Sequence, residues 1–214
     1  RLIFDTLTIS GEGSEFGTLS LYVTEVLIVL VYLLRGRTQH SPTQRKILNA
    51  LFTVLAIGFF SLAFGDFSRI GWVHMMHALS ATFLFSIVLD ARTNVRRTAS
   101  VFAAGLIFPA CLGIYQTLIG SNGSSTLLGL ASKDAQTLGV AVVETEAGRT
   151  LRAYGSLPHP NIFGGYLAVG LILLAWTTRF IQDQKDLISQ GLPIVILCTA
   201  LIMTFSRGAW LAMI

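Results

Sequence analysis

Charge is scarce in this chain. Asp, Glu, Lys and Arg make up 12% of its 214 residues, against about 25% in an ordinary soluble domain. With 53% of the residues hydrophobic, that deficit points to a membrane protein, whose partner is the lipid bilayer. Cysteine is nearly absent as well. Cys111 and Cys198 both lie inside apolar runs, which argues against a disulfide. No Cys/His spacing of the metal-binding kind exists, so both read as small core residues and no metal is expected. Charge tracts and internal repeats are also missing. The formal charge is +4, yet the basic residues fall in short loops between apolar runs. There they set topology, and a nucleic-acid partner is not expected. The chain opens at Arg1 with neither methionine nor a signal-like leader and stops inside the apolar run that ends Trp210-Leu-Ala-Met-Ile214. The expectation is a piece of a longer polytopic protein.

What is plentiful is apolar sequence in long runs. Six are legible, at about 17–34, 47–64, 72–89, 99–119, 162–180 and 192–205. Most approach the roughly 20 residues that a helix needs to cross a bilayer; the sixth is short. The expected fold class is an all-α polytopic membrane protein of about six transmembrane segments. Residues 1–119 carry the N-terminal transmembrane helices, 120–161 a long outer loop, and 162–214 the start of a further helical core.

Orientation is read from the loops. Arg35, Arg37, Arg45 and Lys46 lie between the first two segments, Arg92, Arg96 and Arg97 between the third and fourth, and Arg179 and Lys185 between the fifth and sixth. These alternate loops hold nine of the fifteen basic residues, which the positive-inside rule assigns to the cytoplasm. The N-terminal stretch 1–16, the tight 65–71 loop and the connection 120–161 then lie outside. An external N-terminal stretch implies at least one helix before Arg1. Within 120–161 the first half is rich in Ser and Gly and reads as irregular loop. The second half alternates on both sides of Glu146-Ala-Gly-Arg149 and predicts a small β-hairpin.

The residues with chemical promise follow that hairpin. Arg152-Ala-Tyr-Gly-Ser-Leu-Pro-His-Pro-Asn161 runs straight into the fifth segment. Asn161 reads as the N-cap of that helix, with Pro158 and Pro160 stiffening its start. Arg207 sits in Thr204-Phe-Ser-Arg-Gly-Ala-Trp210 at the end of the sixth segment. The 14 residues from Leu192 to Phe205 make roughly 21 Å of helix, which brings Arg207 near the outer boundary. The chain then turns back or continues as a broken helix at Ser206 and Gly208. An arginine within an apolar run costs about 2.5–3.5 kcal/mol on the lenient insertion scale, so Arg207 either serves a function or snorkels to lipid phosphates. Two guanidiniums converging at this boundary suit phosphate or carboxylate oxygens, and a lipid-linked pyrophosphate is a natural ligand. His159 could be a general base, a phosphate contact or a loop residue. His74 and His77 share a face of the third segment and suit hydrogen bonding within the bundle. Glu25 could pair with Arg69 or with a substrate group. Tyr115 and Gln116 could line the same cavity, and Pro109 is expected to kink its helix.

The stretch RAYGSLPHPNIFGGYLA, followed after one loop by LCTALIMTFSRGAWLAM, resembles the shared core of the O-antigen ligase and O-antigen polymerase family. The likeness rests on Arg152 with Gly155, Pro160 with Asn161, and Ser206-Arg207-Gly208. It covers about 60 residues plus the layout of the preceding helices. It implies a bacterial inner-membrane glycosyltransferase whose active site faces the periplasm or exterior. Such an enzyme takes a glycan from an undecaprenyl-pyrophosphate donor, joins it to a glycan or glycolipid acceptor and inverts the anomeric centre. Neither a metal nor another cofactor is implied. Arg152 and Arg207 would be the catalytic arginines holding the pyrophosphate, with Tyr154, Gly155, His159, Asn161 and Ser206 around the substrate. The family's ligases activate the acceptor with a histidine in a large outer loop after the Ser-Arg-Gly helix. This chain stops before that loop, and His159 occupies a different place. The rival expectations are a solute transporter built around a broken helix, and a non-catalytic subunit of a glycan assembly system.

Overall fold

The computed structural model describes residues 2–9, 12–21, 23–36, 38–64, 69–125, 130–146, 148–179 and 184–214. Most of the expected 65–71 loop, the Arg69 side chain, Arg37, part of the 120–161 connection, and the loop and Lys185 side chain before the last segment lie outside the described residues. The chain divides into two compact units, Arg1–Asn94 and Val95–Ile214.

The first unit opens with strands β1 (Leu2–Ile9) and β2 (Glu12–Leu21). They pair antiparallel from Leu2↔Leu21 to Ile9↔Glu12. Helices α1 (Val23–Leu34), α2 (Pro42–Phe64) and α3 (Arg69–Leu89) follow. The strands correct the sequence reading of 17–34 as one membrane run. Thr18-Leu19-Ser20-Leu21 alternates polar and apolar residues, a period of two that suits a pleated strand better than a helix. Helix α1 is left with 12 residues.

Helix α2 begins at a capping box. Ser41 Oγ accepts from Gln44 N at 3.3 Å, and Gln44 Oε1 accepts from Ser41 N at 2.8 Å, with Pro42 at the first helical position, where its missing N–H is harmless. Of its residues Leu48 and Leu55 are buried, while Val54, Ile57, Phe60 and Phe64 are exposed. Apolar side chains directed outward in this way suit lipid. Helix α3 packs against both α1 and α2. Its His77 Nδ1 pairs with Glu25 Oε1 of α1, so the bundle hydrogen bond expected of His77 takes Glu25 as its partner, in place of the Arg69 or substrate group expected for Glu25.

At the loop end of this unit Asp90 is buried. Its carboxylate accepts from Arg92 Nε and Nη2 at 3.1 and 2.8 Å and pairs with Arg35 at 3.3 Å. Arg35 Nη2 also donates to Thr93 Oγ1 at 2.7 Å. The two basic loops, each expected to be cytoplasmic, therefore meet on one carboxylate. Hydrogen bonds from Arg92, opposed by burial, hold the Asp90 carboxyl well below the usual carboxylate range. A depressed carboxylate stabilises the fold above its unfolded-state value of about 3.9 and stops doing so as pH falls through the folded value. Thermal melts are therefore expected to lose stability below about pH 4, and Asp90→Asn is expected to flatten that acid limb. A variant melting with the parent's acid dependence would remove this assignment.

The second unit carries α4 (Val95–Gly105), α5 (Ile107–Ile119), short strands β3 (Ser121–Asn122) and β4 (Lys133–Asp134), and the hairpin β5 (Val142–Thr145) and β6 (Gly148–Leu151). It ends with α6 (Pro160–Thr178), α7 (Gln184–Met203) and α8 (Arg207–Leu211). The predicted hairpin is present, with Val142↔Leu151 and Thr145↔Gly148 in register. The α4–α5 break at Leu106 lies three residues before Pro109. A proline cannot donate to the carbonyl four residues earlier, and its ring crowds that carbonyl, here Gly105.

Phe163, Leu167, Leu171 and Leu174 of α6 enter a core with Ala103, Ala110, Leu197 and Ala200, a helical spacing. The opposite side of α6 exposes Ile162, Tyr166, Val169 and Ile172. Among the described residues four spans are long and apolar enough to cross a membrane: Pro42–Phe64, Gly71–Leu89, Val95–Ile119 and Pro160–Thr178. Thr24–Leu34 and Gly191–Met203 are shorter. Among the described residues the protein is largely helical with the apolar pattern of a membrane-embedded chain, and four of the six expected segments reach that length.

Candidate functional site

The N-terminal end of α6 and the C-terminal end of α7 come together beside the hairpin. Helix α6 starts two residues earlier than a cap at Asn161 would allow. Pro160 is its first residue and His159 its N-cap, because proline fits the first helical position. His159 Nδ1 accepts from Asn161 N at 3.1 Å. This corrects the expected N-cap, and it releases the Asn161 side chain, whose Oδ1 accepts from Arg152 Nη2 at 2.7 Å.

Arg152 reaches across to the end of α7. Its Nε donates to Thr204 O at 2.7 Å and its Nη2 to Phe205 O at 3.3 Å. The neighbouring Ala153 N donates to Met203 O at 2.9 Å. Burial pushes the Arg152 guanidinium below its ordinary value, with Tyr154 acting in the opposite sense. Helix α7 stops at Met203, Phe205 takes a left-handed φ of 49°, and α8 begins at Arg207. The sixth segment is thus a broken helix, one of the two outcomes left open by the sequence. Its second piece packs mainly on α6.

Between these elements lies a cavity of about 840 Å³. Its polar lining is Arg152, Asn161, Ser206 and Arg207. The rest of the lining is apolar or small, including Gly165, Ala168, Val169 and Ile172 of α6. Arg207 is exposed and makes no hydrogen bond or ion pair among the described residues. No Asp, Glu or His lines the cavity among those residues. Two guanidiniums without a counter-charge make a site for an anion, and the apolar part of the lining favours an anion with a hydrophobic body.

The other expected site residues fall elsewhere. Tyr154 is buried, its hydroxyl accepts from Ala141 N at 2.7 Å, and Lys133 Nζ sits 4.7 Å from its ring centre. Gly155 is packed between α5 and α6 with φ 59°. Gln116, expected near the cavity, is fully buried. Its Nε2 donates to Gly155 O at 2.8 Å and its Oε1 accepts from Tyr154 N at 3.2 Å. Tyr154, Gly155 and Gln116 therefore hold the backbone that carries Arg152 and do not line the cavity. The role of Gln116 had a signal in the sequence, since an amide inside an apolar run needs partners for both its ends. Thr204, Phe205 and Trp210 gave none. Their part is backbone geometry: Trp210 Nε1, for one, donates to Leu201 O at 3.0 Å.

His159 lies outside the cavity lining. Burial, and then the charges of Arg152 and Lys133, lower its pKa. Its Nδ1 can accept only when the imidazole is neutral. A folded-state value below the unfolded one, about 6.5, means that the cap stabilises above that pH and is lost as pH falls through the folded value. His159→Ala is expected to cost about 1 kcal/mol and His159→Asn to recover most of it, as read in thermal melts at neutral pH. Equal melting of all three proteins would contradict the capping role.

No family model matches the chain, and no curated protein or solved structure matches it.

Proposed function

We propose that this chain is the arginine-bearing part of a membrane glycosyltransferase of the O-antigen ligase and polymerase kind. Such an enzyme sits in the bacterial inner membrane with this cavity toward the periplasm or exterior. Its donor is a glycan on undecaprenyl pyrophosphate and its acceptor the hydroxyl of a glycan or glycolipid. The observation that carries the reading is the cavity itself, where Arg207 stands without a protein partner among the described residues and shares the lining with Arg152 and with apolar side chains.

In the reaction the acceptor oxygen bonds to the anomeric carbon of the donor sugar. The bond from that carbon to the pyrophosphate oxygen breaks, and the lipid pyrophosphate leaves with the electron pair. The hydroxyl proton passes to a base, which the cavity wall does not supply among the described residues. Negative charge grows on the departing pyrophosphate, and guanidinium donors beside it stabilise that charge. The apolar lining at Ala168, Val169 and Ile172 gives the first isoprene units a surface in the same cavity as the arginines.

The test is transfer in proteoliposomes by the full-length protein that carries this chain, since the chain alone is expected to be inactive. A polyprenyl-pyrophosphate-linked glycan and an acceptor sugar are supplied, with EDTA in a parallel reaction. The expected result is a glycosylated acceptor of inverted anomeric configuration, released lipid pyrophosphate in equal amount, and no effect of EDTA. Unchanged donor, together with no retention of a polyprenyl pyrophosphate by the protein, would refute the reading.

A further inference from the structure

We propose that Arg152 is a positioning residue: its guanidinium caps the broken end of α7 and thereby sets Arg207 on the cavity wall, and Arg207 makes the anion contact. The proposal rests on the reading of the cavity as an anion site and divides the labour within it.

The argument is a tally of backbone carbonyls. The last four carbonyls of a helix have no partner within it, and at a membrane boundary each unmatched one is costly. Here they are matched one by one. Ala200 O accepts from Thr204 N, Leu201 O from Trp210 Nε1 and Thr204 Oγ1, and Ile202 O from Phe205 N. Met203 O accepts from Ala153 N. Thr204 O and Phe205 O lie in the turn itself and take their donors from Arg152. No other donor among the described residues serves those two oxygens, so Arg152 closes the break.

A cation is also favoured at the negative end of the α7 dipole. A forked guanidinium can serve two carbonyls and Asn161 Oδ1 together, which a lysine ammonium does less well. The same contacts engage Nε and Nη2, leaving Nη1 as the nitrogen of Arg152 without a partner among the described residues. Arg207, two residues beyond the left-handed Phe205, keeps its whole guanidinium unengaged among those residues. The turn that Arg152 secures is therefore the turn that aims Arg207.

The experiment is a double-mutant cycle on the full chain in detergent micelles, with inorganic pyrophosphate as the probe and calorimetry as the readout. Arg207→Gln is expected to weaken binding about 10- to 100-fold, the loss of one or two charge-assisted hydrogen bonds. Arg152→Gln is expected to weaken it about 10-fold. The double variant is expected to bind no more weakly than Arg207→Gln alone, because Arg152 acts through Arg207.

A second readout follows the turn. In a Trp72→Phe/Trp176→Phe background, Trp210 emission is expected to shift with Arg152→Gln and to stay put with Arg207→Gln. Additive losses in the double variant, or Trp210 emission indifferent to Arg152, would overturn the proposal. If Arg152→Gln does not fold, Arg152→Lys takes its place in the cycle, with a smaller Trp210 shift and the same lack of additivity expected. No pyrophosphate binding by the parent protein would overturn the anion reading and the Arg207 half of the proposal with it. A Trp210 shift in that case would show the capping half standing without it.

Discussion

Arg207→Ala is expected to lower glycan transfer by at least about 100-fold while leaving the protein folded and inserted. That magnitude is what removal of one preorganised donor to a developing oxyanion typically costs, about 2.7–4 kcal/mol in the barrier. Three observations support it. Arg207 lines the cavity, has no protein partner among the described residues, and sits on a turn held by bonds in which its own side chain takes no part. Loss of its charge therefore removes ligand contact and little else. Arg207→Lys keeps the charge but loses the planar fork, so an intermediate rate is expected. The measurement is initial transfer rate in proteoliposomes, with thermal melting of each variant alongside. A near-normal rate for Arg207→Ala would defeat the pyrophosphate reading outright. A low rate accompanied by a collapsed melt would assign Arg207 to the fold instead.

Gly155→Ala is the second large effect, and it acts on stability. Gly155 adopts φ 59°, and a Cβ built there would lie 2.8 Å from the Phe163 ring and 2.9 Å from Pro109 O. A left-handed backbone disfavours any L side chain, and neither the core phenylalanine nor the proline carbonyl can move aside freely. Phe163 is fully buried in the centre of the second unit, so displacing it disturbs α5, α6 and the Arg152 segment together. The expected loss is about 2–4 kcal/mol, the sum of backbone strain and overpacking. Thermal unfolding in detergent measures it, and an unchanged melting temperature would show that the loop relaxes around the added methyl. The position explains why a glycine belongs in the Arg152-Ala-Tyr-Gly155 stretch: the backbone there is pressed between two helices, away from the cavity.

Much of the architecture was legible from the chain alone. Long apolar runs separated by basic loops specify membrane helices because an apolar segment of that length has nowhere else to be buried. Alternation around Glu146-Ala-Gly-Arg149 specified a hairpin, and the hairpin is there. The first run misled for a reason visible in hindsight. Composition marks 17–34 as apolar throughout, but Thr18-Leu19-Ser20-Leu21 repeats every second residue, and pairing with residues 2–9 takes it into a strand. The cap was misplaced by two residues, from His159 to Asn161, because a histidine can cap when its neutral nitrogen faces the first turn.

The site divides along the same line. Sequence by itself determined that Arg152 and Arg207 are exceptional, since an arginine beside or within an apolar run either serves a function or snorkels to lipid phosphates. It determined Arg152-Ala-Tyr-Gly155 and Ser206-Arg207-Gly208 as the stretches to watch. Only the tertiary structure decided what each residue does there. It gave Arg152 two turn carbonyls and the Asn161 oxygen, gave Tyr154, Gly155 and Gln116 the task of holding that arginine's backbone, and left Arg207 facing the cavity. The physical reason is that carbonyl groups at a helix break carry no signature in the sequence. Which of them lacks a partner depends on where the helix stops and on what another part of the chain brings within reach.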